Sequence, residues 1–189
     1  RLTAISMGAS ALLLIVVALV AFPLFYSQER SNNARHYRDS LDHAQDQLRF
    51  RFAALLDDLE QLARNSLVVN AFVDSSGREL YLFATLRDFR APFGLAHTLV
   101  LLDSNLSVFA QAGRDAQLSP FEAEKARAAI LSGKMQLAFV EAGQRMQLLI
   151  AVPVYYPPAS SYEGVFLATM AATELIEPAL RGLPATECL

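Results

Sequence analysis

The residues in this sequence that could do chemistry are arginines and tyrosines, and that chemistry is binding rather than catalysis. Arg87 and Arg90 lie one helical turn apart. A guanidinium presents a planar fork of donors, which suits a carboxylate through paired, charge-assisted hydrogen bonds. Tyr81 precedes them, and Tyr155 and Tyr156 stand together before a proline-bearing loop. Each tyrosine offers a flat apolar wall with a hydroxyl at its tip. Asp103 ends an apolar run ahead of Ser104-Asn105; its carboxylate either accepts from the turn amides or reaches a ligand. Gln147 and Thr169 are polar residues in apolar runs, facing a pocket or solvent. His97 is a candidate pH sensor, because a free imidazole titrates near about 6.5. His36 and His43 are two helical turns apart, too far for one metal ion, and read as a solvated face.

Catalytic and metal chemistry have no comparable pattern. The sequence holds no GxSxG, no glycine-rich phosphate loop and no acid pair with a supporting base. It also lacks CxxC and HExxH spacings, and Cys188 has no second cysteine to bridge. No enzyme activity, cofactor or metal is expected. The net charge is −3, which gives no basic footprint for nucleic acid.

The hydrophobic fraction, 53%, exceeds that of ordinary soluble domains, and the excess is concentrated. No residue from Leu2 to Gln28 is charged. About 20 apolar residues cross a bilayer as a helix, so residues 1–27 are expected to form a transmembrane helix, with Phe25 and Tyr26 at the interface. A cleaved signal peptide has a shorter apolar core and a small-x-small site, and FPLFYSQ offers none. Arg30, Arg35 and Arg38 argue mildly against an outside position for the C-terminal side of this helix. The first residue is Arg1 rather than Met, and the N-terminus is expected to be cut.

Residues 28–66 lack proline and glycine and read as a long stalk helix. Leu41, Leu48, Leu55 and Leu62 recur every seven residues, with Phe52, Leu56, Leu59 and Ala63 widening the stripe. From Phe52 onward this face is expected to pack on its own domain, whereas Leu41 and Leu48 suit a homodimer seam. Arg78–Phe89 then reads as a second helix. Thr98–Asp103 and Leu106–Ala112 read as strands. Ser119-Pro120-Phe121-Glu122 is a capping-box helix start, and Gly133 its stop. Strands come next at Gln136–Ala142, Arg145–Val154 and Gly164–Ala171, with a loop at Tyr155–Glu163 and a last helix over Glu174–Arg181, capped by Thr173. Five antiparallel strands with flanking helices make an α+β domain. One sheet face is expected to lie under the long helix, the other under loops, short helices or a ligand.

Three stretches carry a resemblance: the anchor leading into a stalk; LARNSLVVNAFVDSSGRELYLFATLRDF followed by LVLLDSNLSVFAQAG; and VPVYYPPASSYEGVFLATM. Together, over about 28–181, the chain resembles the Cache family, the PAS-like extracytoplasmic sensors of bacterial receptors such as histidine kinases, diguanylate cyclases and chemoreceptors. The resemblance implies a PAS-like five-stranded sheet over 67–181, located in the periplasm and anchored to the inner membrane. It implies a small-molecule ligand, a carboxylate by the arginines, bound where Tyr81, Arg87, Arg90, Asp103, Tyr155 and Tyr156 lie, and signalling to a cytoplasmic output. Amino-acid binders of the family carry a Trp signature, and this sequence has no Trp. Residues 182–189 are expected to start a further segment, after which a second PAS-like module is favoured over a second membrane helix. The alternatives are an anchored scaffolding or envelope-assembly protein without a ligand and, more remotely, a membrane-tethered enzyme.

Overall fold

The computed structural model describes residues 36–74, 78–112, 118–143, 145–181 and 183. The expected membrane segment 1–27, the stalk's first residues and almost all of 182–189 lie outside the described residues. Among the described residues no helix is long and apolar enough to cross a membrane. The chain divides into two compact units. The first contributes the helical residues 36–45, on which Tyr37 and Leu41 are exposed. The second, Asp46–Arg181, holds the sheet.

In the second unit, helix α1 (46–63) buries Leu55, Leu59, Leu62 and Ala63, the stripe its apolar period predicts. It stops where Asn65 takes an extended conformation and its Oδ1 accepts from the amide of Leu67 at 2.9 Å. That cap starts α2 (Ser66–Ala71), so the helix expected over 28–66 ends at 63. The helix expected over 78–89 comes in two pieces, a π-helical turn at Arg78–Leu82 and α3 (Phe83–Asp88).

The sheet is β1 (His97–Asp103), β2 (Val108–Ala112), β3 (Gln136–Ala142), β4 (Arg145–Tyr156) and β5 (Ser161–Ala171), ordered β2-β1-β5-β4-β3. Every neighbouring pair is antiparallel. Helix α4 (Pro120–Ser132) lies between β2 and β3, opened by the reciprocal Ser119–Glu122 capping box and closed by Gly133. Helix α5 (Ala172–Leu180) begins earlier than Thr173 would have started it, with Ala171 at its N-cap. Both strands flanking the proline loop run longer than expected. A 3-10 turn at Pro157–Ala159, with Ser160 left-handed at φ 53°, reverses the chain tightly enough for pairing to reach Tyr156 opposite Ser161.

The strands alternate between two buried faces. Leu148, Ile150, Phe166, Ala168, Leu99 and Leu101 pack with α1 and α5. Leu149, Ala151, Val165, Leu167, Val100 and Leu102 pack under α4, where the small side chains of Ala126 and Ala129 allow close approach. The second face is therefore covered by a helix. One feature of the register positions the site: β3 begins at Gln136 opposite Ala151, while β5 accompanies β4 to Tyr156. The end of β4 outruns its neighbour and leaves a recess at the sheet edge.

Candidate functional site

That recess is a ligand-sized cavity in the second unit. Its volume is about 700 Å³, inside the range of small-molecule pockets. The end of β4 contributes Val152 and Pro153, and the walls are Ala63, Val69, Met135 and the rings of Tyr155, Tyr156 and Tyr162. Pro157 and Pro158 stiffen the turn alongside. Tyr155 and Tyr162 meet edge to face, with centroids 5.3 Å apart. Tyr162 can lie where it does because of Gly133. A Cβ on that glycine would sit 2.5 Å from the ring, and its φ of +63° is left-handed. The charged groups are at the rim: Glu60 on the last turn of α1 and Arg64 just past its end form an ion pair at 3.2 Å with side chains 45% and 80% exposed. Ser66 and Asn70 of α2 add neutral polar groups.

The second cavity, about 620 Å³, lies between α3 and the ends of β1 and β2, lined by Arg87, Arg90, His97, Gln111 and apolar residues including Phe83 and Phe89. Its arginines are partly committed elsewhere. Arg90 Nη1 donates to the carbonyls of Arg87 and Phe89, at 2.8 and 2.9 Å. Arg87 lies 3.7 Å from Asp88, and both side chains are largely exposed. The Nδ1 of His97 is 3.0 Å from the carbonyl of Leu95, and its ring stands edge-on to Phe89.

The structure therefore separates the residues that the sequence grouped. Tyr155 and Tyr156 line the first cavity, Arg87 and Arg90 the second, and the two share no lining residue. Tyr81 lines neither and is half exposed; its carbonyl accepts from the Thr85 hydroxyl. Asp103 also lines neither. Its Oδ1 accepts from the amides of Asn105 and Ser107, at 2.9 and 2.8 Å, and holds the β1–β2 turn. Gln147 and Thr169 are half-buried on the sheet face that α4 covers. Among the described residues no cluster of His, Cys, Asp and Glu could hold a metal. Sequence reasoning missed the contributions of α1 and α2, and of Tyr162. Asn65, a residue type that favours N-caps, could have marked the α1–α2 corner, but nothing local shows that this corner meets the end of β4.

No family model matches the chain, and no curated protein matches it. Solved structures do. The periplasmic domain of Vibrio cholerae LuxQ aligns at 16% identity and TM-score 0.53, over 77% of this chain and 69% of that one. The ligand-binding domain of the Campylobacter jejuni chemoreceptor Tlp3, solved with L-valine, aligns at 10% identity and TM-score 0.60, over 84% of this chain and 67% of that one. The sensor domain of the V. cholerae histidine kinase DctB aligns at 18% identity and TM-score 0.47, over 80% of this chain and 62% of that one. The chain thus spans roughly two thirds of these domains. The fold is that of periplasmic sensor domains, as the Cache resemblance implied.

Proposed function

We propose that this chain is the extracytoplasmic input module of a bacterial receptor, binding a small molecule in the tyrosine-lined cavity and signalling across the inner membrane. The observation that carries this reading is that the cavity shares a wall with the last turn of α1, through Glu60, Ala63 and Arg64. A ligand there touches the helix by which the chain enters the domain. The helix by which it leaves is tied to the same element: Arg51 of α1 donates from Nη2 to the carbonyl of Glu174, in the first turn of α5, at 3.4 Å. The mechanism is a population shift. Ligand favours one arrangement of the α1–α2 corner and the proline turn, and α1 and α5 move with it. In this reading residues 1–27 are the membrane anchor, the domain is periplasmic, the stalk pairs in a homodimer through Leu41 and Leu48, and any enzymatic output belongs to another domain.

One observation favours the scaffolding alternative. On the edge strand β3, Leu137 and Phe139 are exposed, and Met146 beside them is exposed as well. An apolar strip on an open sheet edge suits a protein contact.

The discriminating experiment is a thermal-stability screen of the full chain in lipid nanodiscs against small metabolites, carboxylates included. A ligand specific for the folded state raises the melting temperature with concentration. The expected result is a hit lost in Tyr155→Ala and retained in Leu137→Ser. Stabilisation only by protein partners, lost in Leu137→Ser, would replace the sensor reading with the scaffold.

A further inference from the structure

The chemistry of the first cavity narrows its ligand. We infer that it takes an uncharged, flat, largely apolar molecule bearing a hydroxyl or amide, and that it discriminates against carboxylates. This rests on the reading that the tyrosine-lined cavity is the binding site.

The inner surface is aromatic and aliphatic: Tyr155, Tyr156, Tyr162, Val69, Val152 and Met135. Its polar groups, the tyrosine hydroxyls with Ser66 and Asn70, are neutral. A carboxylate taken out of water there needs a cation as partner, and without one burial is costly. Among the described residues the lining holds one cation, Arg64, whose side chain is 80% exposed and already 3.2 Å from Glu60. To serve a carboxylate inside the cavity, Arg64 would have to leave solvent and divide its donors between the ligand and Glu60. The carboxylate next to it, Glu60, repels a second negative charge. A cationic ligand fares little better, because the lining's one anion is the same paired Glu60. Its remaining attraction would come from ring faces, and that attraction has to offset the hydration the cation gives up. A flat neutral molecule needs none of these rearrangements. It can stack on the rings, and its polar group can meet hydroxyls and an amide that both donate and accept. The arginines that would suit a carboxylate line the other cavity.

The test uses three fluorinated probes of one size and different charge: 4-fluorobenzyl alcohol, 4-fluorobenzoate and 4-fluorobenzylammonium. Their binding to the full chain in nanodiscs is read by fluorine NMR line broadening, with empty nanodiscs as the blank. Val69→Trp fills the cavity. Tyr156→Ala, at a partly exposed ring, removes a wall without touching the core. The expected result is that the alcohol binds at least tenfold more tightly than either ion, and that both variants abolish the difference. Equal or tighter binding of benzoate or of the ammonium probe, lost in Tyr156→Ala, overturns the ligand class but leaves the cavity as the site. Binding of any probe unchanged in both variants overturns the site itself. No binding of the alcohol at millimolar concentration, while the wild-type chain stays folded, overturns the class.

Discussion

The two cavities differ less in volume than in what their charged groups do. In the first, charge is confined to one ion pair at the rim, and the interior is rings and aliphatic carbon. In the second, two arginines and a histidine share a wall with apolar side chains, and one arginine is spent on its own helix end. The first is assembled from segments far apart in sequence, with walls fixed by a left-handed glycine and two prolines. The second is mostly one short helix over a strand end. Convergence of distant, stiff elements is how a specific small-molecule site is built, because preorganisation lowers the cost of binding. An exposed helix carrying arginines attracts anions weakly and in a salt-dependent way. Residue type alone is a poor guide to a site: the arginines looked most like ligand groups, yet the stiffer cavity lies elsewhere.

The largest effect should come from Gly164, where a side chain would disturb packing close to both regions. Gly164 of β5 has no space for a Cβ, which would collide with the carbonyl of Leu102 and the ring of Phe72. Phe72 ends α2, a wall of the first cavity, and stacks at 4.6 Å on Phe109 of β2, whose end walls the second. A backbone oxygen cannot move aside as a side chain can. Gly164→Ala should destabilise the chain by about 3 kcal/mol, the upper part of the usual overpacking range, measured by denaturant unfolding. It should weaken ligand and anion binding alike. A loss at one cavity alone would show that Phe72 does not join them.

Gly133→Ala should separate the two regions. The atoms nearest the new Cβ all belong to Tyr162, whose ring can swing outward, and the left-handed φ adds strain. The expected cost is about 1–2 kcal/mol. Probe binding in the first cavity should fall, with anion binding at Arg87 and Arg90 unchanged. Gly94→Ala is the control, with the same sign of φ and nothing within 4 Å of the new Cβ. If the two variants behave identically in probe titrations, the Tyr162–Gly133 contact does not shape the site.

The sequence made the scaffold legible and the site only partly so, for physical reasons. The Leu55–Leu59–Leu62 stripe, the Ser119–Glu122 capping box, Gly133 as helix stop and all five strands are local patterns, each set by residues a few positions apart. The first cavity depends on the α1–α2 corner and Met135 meeting the end of β4, contacts between segments distant in sequence, which no local pattern encodes. The same limit explains Tyr81. It lies on the helical stretch that carries the arginines, but the stretch splits into a π-helical turn and α3, and Tyr81 remains half exposed. Tyr155 and Tyr156 were placed beside a pocket by the family resemblance rather than by any local pattern, and they line the first cavity.

A smaller effect tests a residue outside both cavities. Asp103 holds its turn by two accepted hydrogen bonds, and losing both should cost about 1 kcal/mol net. Asp103→Ala should show that loss in unfolding experiments, and Asp103→Asn, which keeps an acceptor oxygen, should recover much of it. Neither should alter probe or anion binding. A change in binding at unchanged stability would return Asp103 to the ligand site.

The smallest effect bears most directly on the contrast between the cavities. Glu60 and Arg64 are the charged groups of the first lining, and their exposure places the pair in solvent. An exposed ion pair one helical turn apart contributes only about 0.3–0.5 kcal/mol. Glu60→Gln should therefore shift unfolding by no more than that, with the shift vanishing at high salt. It should change the affinity of 4-fluorobenzyl alcohol less than twofold, because the charge sits at the rim. Removing the anion also frees Arg64, so 4-fluorobenzoate should gain modestly, and only at low salt. A loss well above about 1 kcal/mol that persists at high salt would mean that the pair is desolvated. The first cavity would then hold a structural charge of its own, and the contrast between a neutral interior and an arginine-lined groove would fail.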